Sequence, residues 1–298
     1  MQSFLDQQQL PYSFIAYAEQ WFNPLIDKIR QRHADRAAKS TPLFLGISGC
    51  QGSGKSTLAD YCEFRLKEEF KLNVANCSID DFYLRKDERE TLASRVHPLL
   101  KTRGVPGTHD VEYAIDRCNM LSQSSVDRSQ SNTVELPKFD KLTDDRSSET
   151  KLVSTPIDIV IFEGWCLGST AQSAEALASP VNELERRKDP NGDWRKYVND
   201  QLSQHYPRLF KKIDYWVMLK APSFDCVLNW RTEQEEKLAK QQQESFNPHK
   251  KVMSKKEIHN FIQYYQRLTE HILATLPAKM DCVFELDENR QIRSARNR

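Results

Sequence analysis

A parallel α/β sheet with helices on both faces is the fold that this 298-residue sequence predicts. Three observations predict it. Short apolar runs alternate along the chain with helical patterns. The first apolar run ends in a glycine-rich loop that opens a helix. Two later runs end in acidic residues, as strands do whose carboxyl ends face a ligand crevice.

Each element can be justified in order. Residues 10 to 37 read as a helical N-terminal segment, because Phe14, Tyr17, Ala18, Trp21, Leu25 and Ile29 recur at helical spacing. PLFLGISG, residues 42 to 49, is short and apolar, as a strand buried on both faces should be. After the glycines, Leu58, Tyr61, Cys62 and Leu66 mark one face of a helix that runs to about Lys71. VANCSIDDFY, 74 to 83, is a second strand that ends in Asp80 and Asp81. A mixed region follows from 84 to 155. It holds RGVPGTHD (103 to 110), a helix from about Val111 to Leu121, an exposed polar loop SQSSVDRSQSN (122 to 132) and LPKFDKLTDDR (136 to 146). IDIVIFEGW, 157 to 165, is the third strand. Residues 169 to 212 are polar and partly helical and read as an insertion. IDYWVMLKAP, 213 to 222, is the fourth strand, and a charged helix begins soon after it. A polar break, a helix from Lys255 to about Leu276 and a fifth strand, MDCVFELD (280 to 287), complete the pattern. The expected organisation is an N-terminal helical segment, 1 to 40, and one domain, 41 to 298.

Composition narrows the class. Hydrophobic residues make up 39% and charged residues 29%, which suits a globular enzyme rather than a disordered chain. The net charge of +1 gives no global pull toward nucleic acid or an anionic membrane. No apolar run approaches the roughly 18 residues that span a bilayer, and the N-terminus has no basic-then-apolar leader pattern. The seven cysteines are scattered and form no C-x-x-C pair, so neither a disulfide framework nor a zinc site is expected. Reduced thiols and a cytoplasmic location are the expectation. The seven histidines form no metal-binding spacing.

Gly49-Cys50-Gln51-Gly52-Ser53-Gly54-Lys55-Ser56 satisfies G-x-x-x-x-G-K-[ST], the Walker A phosphate loop, and Thr57 continues it. Glycines allow successive backbone N–H groups to point inward at phosphate oxygens. The helix that follows offers its positive N-terminal end to the same charge. Lys55 would reach the β- and γ-phosphates of ATP, and the Ser56 hydroxyl would hold Mg²⁺. An apolar strand before the loop and an amphipathic helix after it are the setting the motif requires.

The acids at strand ends come next. A carboxylate that accepts a proton and orients an attacking hydroxyl is what phosphoryl transfer to an alcohol needs, and Asp80 is the candidate base. The alternative is that Asp80 or Asp81 caps the next turn. Glu163 ends IVIFEG, where a buried strand end disfavours an unpaired carboxylate, so it is a candidate for the Mg²⁺ site with Ser56 and Asp80. Arg231 lies in the charged helix after the fourth strand, where a guanidinium could close over the γ-phosphate or could simply pair with Glu235 on a solvated face. Arg103, His109, Asp110, Lys138, Asp140, Lys141 and Arg146 crowd the region after the second strand. That mixture suits an acceptor that carries both a carboxylate and hydroxyls. Asp81 and Tyr83 are expected to join them.

Taken together these residues resemble the phosphate-loop small-molecule kinases: uridine kinase, pantothenate kinase and phosphoribulokinase. Within that group the pattern is most similar to plant-type D-glycerate 3-kinase. The matching pieces include GCQGSGKST, SIDDFYL, RGVPGTHD, LPKFDK, FEGWCLG, NELERRKDPNGDWRKYVN, NWRTEQEEKL and MSKKEIHNFIQYYQRLT, which run in order through nearly the whole sheet domain. The resemblance implies a five-stranded parallel sheet of order 2-3-1-4-5, a helical lid near Arg231 and Asp80 as base. It also implies conversion of D-glycerate and ATP to 3-phosphoglycerate. Kinases of other small metabolites, nucleosides or pantothenate, share the loop and stand as the alternative. An NTP-driven switch is a third reading, but the chain has no N-K-x-D guanine-recognition element.

Overall fold

The computed structural model describes residues 1–36, 41–123, 132–245 and 253–298. Most of the polar stretch read as an exposed loop at 122 to 132, and most of the polar break before the last long helix, lie outside the described residues. Among the described residues none forms a helix long and apolar enough to cross a membrane.

The chain starts with helices α1 (Gln2–Gln8) and α2 (Phe14–Asp35). Strand β1 (Leu43–Gly49) is buried along its whole length and feeds helix α3 (Lys55–Glu68). Strand β2 (Val74–Ser78) leads into a 3-10 turn, Ile79–Phe82. Helices α4 (Lys86–Arg95) and α5 (Val111–Gln123) precede an antiparallel hairpin of β3 (Thr133–Asp140) and β4 (Asp145–Ser154). Strand β5 (Ile159–Gly164) is fully buried. Four short helices follow: α6 (Ala174–Ala178), α7 (Glu183–Lys188), α8 (Asp193–Gln204) and α9 (Tyr206–Phe210). Strand β6 (Tyr215–Lys220), helices α10 (Phe224–Ser245) and α11 (Lys255–Thr275), and strands β7 (Cys282–Leu286) and β8 (Ile292–Asn297) complete the fold.

The main sheet has six strands in the order β2-β5-β1-β6-β7-β8. β1 lies parallel between β5 and β6, and β2 and β7 extend the parallel set on either side. β8 pairs antiparallel with β7. The expectation of a purely parallel five-stranded sheet is therefore corrected by one antiparallel edge strand. The reason it was missed is physical: in IRSARN only Ile292 is buried, so the segment carries no apolar run. The 84 to 155 region is likewise more than loops, since it contains the β3–β4 hairpin, two helices and one 3-10 turn.

The N-terminal helices share the core of the sheet domain. Phe4 stacks on Phe64 with ring centres 5.1 Å apart and meets Tyr61 edge-on at 5.6 Å, while Phe22 reaches Phe284 of β7. Ala18, Phe22, Leu25, Ile26 and Ile29 of α2 are all buried. Each large side chain of that stripe contributes about 1.5–3 kcal/mol by leaving water. The insertion is held differently. Arg267 of α11 grips Glu185 of α7 through two bonds of 2.7 Å and also donates to the carbonyls of Ala176 and Ser179. Arg195 pairs with Asp189 at 3.0 Å in a second buried tie.

Candidate active site

The site forms where β1, β2 and β5 end side by side. β1 delivers the chain into the loop Cys50–Gly54, and α3 starts at Lys55. Gly54, at φ +90°, caps that helix and has open space where a Cβ would stand. Gly52, at φ +78°, has the opposite need: a Cβ there would lie 2.8 Å from the Cβ of Trp230. Trp230 is fully buried in α10 and is fixed by its indole N–H, which donates to the carbonyl of Glu288 at 2.7 Å. The loop is thus backed at Gly52 by the Cβ and backbone of Trp230 and is open at Gly54. Cys50 forms part of its buried wall, and burial pushes that thiol up to about 12, so it stays protonated at neutral pH.

Lys55 and Ser56 meet Glu163 at the mouth of this loop. The Lys55 Nζ lies 3.8 Å from Glu163 Oε2, and the Ser56 hydroxyl donates to Glu163 Oε1 at 3.2 Å. Burial works against the Lys55 charge, but Glu163 and then Asp80 outweigh it, and its pKa is raised above that of a free lysine. Glu163 sits between its strand neighbours Ile47 of β1 and Ser78 of β2, so the sheet register itself aims it at the loop. Glu163 Oε2, Ser53 Oγ and Gln51 Oε1 are buried and have no hydrogen-bond partner among the described residues. A buried carboxylate oxygen, two further unpartnered oxygens and a lysine ammonium are a set that a hard cation and phosphate oxygens would satisfy.

Asp80 stands beside this group. Ser78 closes β2 and its hydroxyl accepts from the Asp80 N–H at 3.2 Å, which starts the 3-10 turn. Asp80 Oδ1 accepts from the Tyr83 hydroxyl at 2.9 Å, and Lys141 Nζ lies 3.3 Å from Oδ2. Burial alone would raise the Asp80 pKa, but Lys141 and Lys55 more than offset it and the carboxyl is held below its ordinary value. Asp81 behaves oppositely. Burial raises its pKa, and its Oδ1 accepts from the Phe139 N–H at 3.2 Å, which ties β3 to the turn.

The remaining residues that the sequence offered for an acceptor fall into two groups. Around Asp80 the structure gathers Tyr83, His109 and Lys141, with Arg146 one step further out. The rings of Tyr83 and His109 stack with centres 4.5 Å apart, and Arg146 donates to the Tyr83 carbonyl at 2.9 Å and lies 3.5 Å from Asp110 Oδ2. Other members are occupied in holding the hairpin or its neighbours. Arg103 pairs with Asp144 in the hairpin turn. Lys138 lies 3.6 Å from Glu149 across the hairpin, on its exposed face. Asp140 accepts from the Leu142 N–H and the Thr143 hydroxyl and so shapes the turn, while Asp110 Oδ1 accepts from the Tyr113 N–H and starts α5. Arg231 sits two turns into α10, with its guanidinium 5.8 Å from the centre of the Phe261 ring of α11.

Sequence reasoning missed four residues, of which three hold RGVPGTHD in place. The Tyr206 hydroxyl accepts from the Gly107 N–H at 3.0 Å and lies 2.7 Å from His109 Nδ1. Trp165 donates to the Gly104 carbonyl at 3.0 Å, and Tyr265 donates to the Arg103 carbonyl at 3.1 Å. Trp230 backs the phosphate loop. These contacts join residues 58 to 178 positions apart, and no local pattern announces them. The one available signal was the cluster of glycines at 104 and 107, where close approach of a large side chain is the usual reason for glycine.

No family model matches the chain. It is 34% identical over 269 residues to an uncharacterized kinase, mug58, of Schizosaccharomyces pombe, over 84% of this chain and 89% of that one. It is 28% identical over 246 residues to the chloroplastic D-glycerate 3-kinase of Arabidopsis thaliana, covering 80% of this chain and 49% of the plant protein, about half its length. Among solved structures, a D-glycerate 3-kinase from Cryptococcus neoformans superposes with a TM-score of 0.72 at 25% identity, over 94% of this chain and 98% of that one.

Proposed function

The chain belongs to the family of phosphate-loop small-molecule kinases in which these relatives fall, and we propose that it transfers the γ-phosphoryl group of ATP to the 3-hydroxyl of D-glycerate. The single observation that carries the reading is the convergence of Lys55, Ser56 and Glu163 at the start of α3 with Asp80 beside them. Substrate identity draws its support from the named relatives and from the mixture of cations and hydrogen-bonding groups around Asp80.

In the proposed reaction the loop amides and Lys55 hold the β- and γ-phosphates. The glycerate hydroxyl oxygen attacks the γ-phosphorus, the bond to the β–γ bridging oxygen breaks, and the hydroxyl proton passes to Asp80. ADP and 3-phosphoglycerate leave. Ser56, Asp80 and Glu163 would hold Mg²⁺, which when bound neutralises phosphate charge; the Glu163 oxygen that accepts no hydrogen bond among the described residues fits that use. Arg231 follows Trp230, whose side chain backs Gly52, so the helical lid of α10 and α11 starts beside the phosphate loop and the Arg231 guanidinium is assigned to the γ-phosphate. The acceptor side is assigned to 84–155, and the insertion 169–212 supports it through Tyr206. Adenine is assigned to a cavity of about 530 Å³ that opens beside Ser53 and Thr57, with Phe14, Tyr17 and Arg290 in its walls. All seven cysteines are free and buried, which suits the reducing cytoplasm where we place the reaction.

The test is an acceptor panel of D-glycerate, uridine and pantothenate with ATP and Mg²⁺, read as ADP formed and as phosphorylated product by NMR. We expect D-glycerate to give 3-phosphoglycerate with the highest kcat/KM. Faster turnover of uridine or pantothenate would remove the substrate assignment, and equal ATP hydrolysis without any acceptor would favour a switch. Asp80→Asn should lower kcat by about 10²–10⁴-fold while ATP still binds. Turnover near wild type in that variant excludes Asp80 as the proton acceptor.

A further inference from the structure

The cations on the acceptor side differ in what holds them. Arg103 pairs with Asp144, Lys138 with Glu149, and Arg146 with Asp110 and the Tyr83 carbonyl. Those partners shape the hairpin and the start of α5. Lys141 instead reaches the carboxylate assigned above as the base, with Nζ 3.3 Å from Asp80 Oδ2. It stands where β3 turns into β4, and its side chain is 66% exposed against 27% for Asp80. The other Asp80 oxygen is taken by the hydroxyl of Tyr83, a buried residue. Oδ2, with two lone pairs, is therefore the oxygen left to serve both Mg²⁺ and an acceptor hydroxyl, and an ammonium group rests on it.

A pair whose ammonium stands mostly in water is held weakly. A second carboxylate arriving nearby competes for the same ammonium on equal chemical terms. A lysine has a long flexible stem and no fixed fork geometry, so it can change partners without moving the backbone. In a three-carbon hydroxy acid the carboxylate and the terminal hydroxyl lie within one swing of such a side chain.

We propose that Lys141 is a specificity-determining residue that changes partners. It rests on Asp80 until an acidic acceptor binds, then moves to the acceptor carboxylate and uncovers Asp80 Oδ2 for the acceptor hydroxyl. A hydroxy acid thereby clears its own proton acceptor. A neutral polyol with the same hydroxyl leaves the ammonium on Asp80 and reacts poorly. This rests on the assignment of Asp80 as proton acceptor in a kinase of a hydroxy acid.

The test compares D-glycerate with glycerol, its neutral counterpart, in the wild type and in Lys141→Met, which keeps the stem and removes the charge. Thermal melting of both forms checks that the exposed substitution leaves the fold intact. We expect kcat/KM for D-glycerate to fall about 10–100-fold, the loss of one charge-assisted bond, while the glycerol rate rises several-fold. Lys141→Arg should restore most of the glycerate preference. A glycerol rate that stays flat, falls or remains undetectable in Lys141→Met overturns the exchange and leaves Lys141 at most a binding group. A wild-type enzyme that prefers a neutral acceptor removes the substrate reading as well, so the two failures are distinct.

Discussion

His109 is buried between Tyr83 and Tyr206, with one ring nitrogen engaged and the other without a hydrogen-bond partner among the described residues. The Tyr206 hydroxyl already accepts from the Gly107 N–H, so its single proton is available for His109 Nδ1. The neutral ring then carries its hydrogen on Nε2. Burial pulls the His109 pKa down from 6.5 to about 4. Above pH 6.5 the ring is neutral in both folded and unfolded chains, and the stability tied to it is fully present. As pH falls from 6.5 toward 4 the unfolded chain takes up the proton first, and that stability is lost. A shift of this size is worth on the order of 3 kcal/mol at 1.36 kcal/mol per unit. Urea unfolding at pH 7.5 and pH 4.5 should show the wild type losing about 2 kcal/mol more than His109→Gln across the interval. Equal losses would mean that the ring is already charged in the folded protein. At this scale Lys55, Ser56, Asp80 and Glu163 were legible, because the chemistry of phosphate binding dictates residue type and spacing within one loop and two strand ends. Tyr206 was not. It meets His109 across 97 positions, and a tyrosine in a polar helical stretch carries no mark of its partner.

Elements were legible in proportion to their burial. β1 and β5 are buried on both faces, so each is a continuous apolar run with no alternative reading. β4, DRSSETKLVS, has one buried residue and presents the rest to polar surroundings, so its sequence looks like loop. The hairpin is held instead by bonds that sequence does not display: Asp81 to the Phe139 N–H, and the nearly inaccessible Arg89 to Asp144 and three carbonyls. The insertion shows the same principle at α7. Glu185 and Arg267 are both buried and satisfy each other through two bonds, so removal of one charge leaves the other uncompensated. Glu185→Gln or Arg267→Met should each cost about 3–5 kcal/mol in urea unfolding. The double variant Glu185→Leu/Arg267→Met should recover a large part of that loss, since two apolar side chains of similar size leave no stranded charge. Single costs below about 1 kcal/mol would show that water reaches the pair.

At the scale of the whole molecule, the N-terminal helices and the sheet domain meet in one aromatic cluster and enclose a cavity together. The cavity of about 530 Å³ has the turn into α2 on one side and the phosphate loop on the other, and the segment after β7 closes it with Arg290. Tyr17 ties two of these walls, because its hydroxyl accepts from the Ile292 N–H at 3.2 Å. The sequence marked the N-terminal segment as helical but gave no reason for it to line a cavity beside the phosphate loop, since its apolar stripe explained itself as packing. Only the joining of α2, the loop and the end of β7 in space creates a volume large enough for a purine. Ala16 lines that cavity from an exposed position on α2, so Ala16→Trp fills it without disturbing the core. ATP affinity should fall at least about tenfold in this variant, the equivalent of 1.4 kcal/mol. Inhibition by inorganic tripolyphosphate, which has no base, should stay as in the wild type. Lys55→Ala should weaken both ligands if its ammonium serves the phosphates they share, as proposed. If Ala16→Trp binds ATP as tightly as the wild type, the base lies elsewhere, and the N-terminal helices serve stability alone.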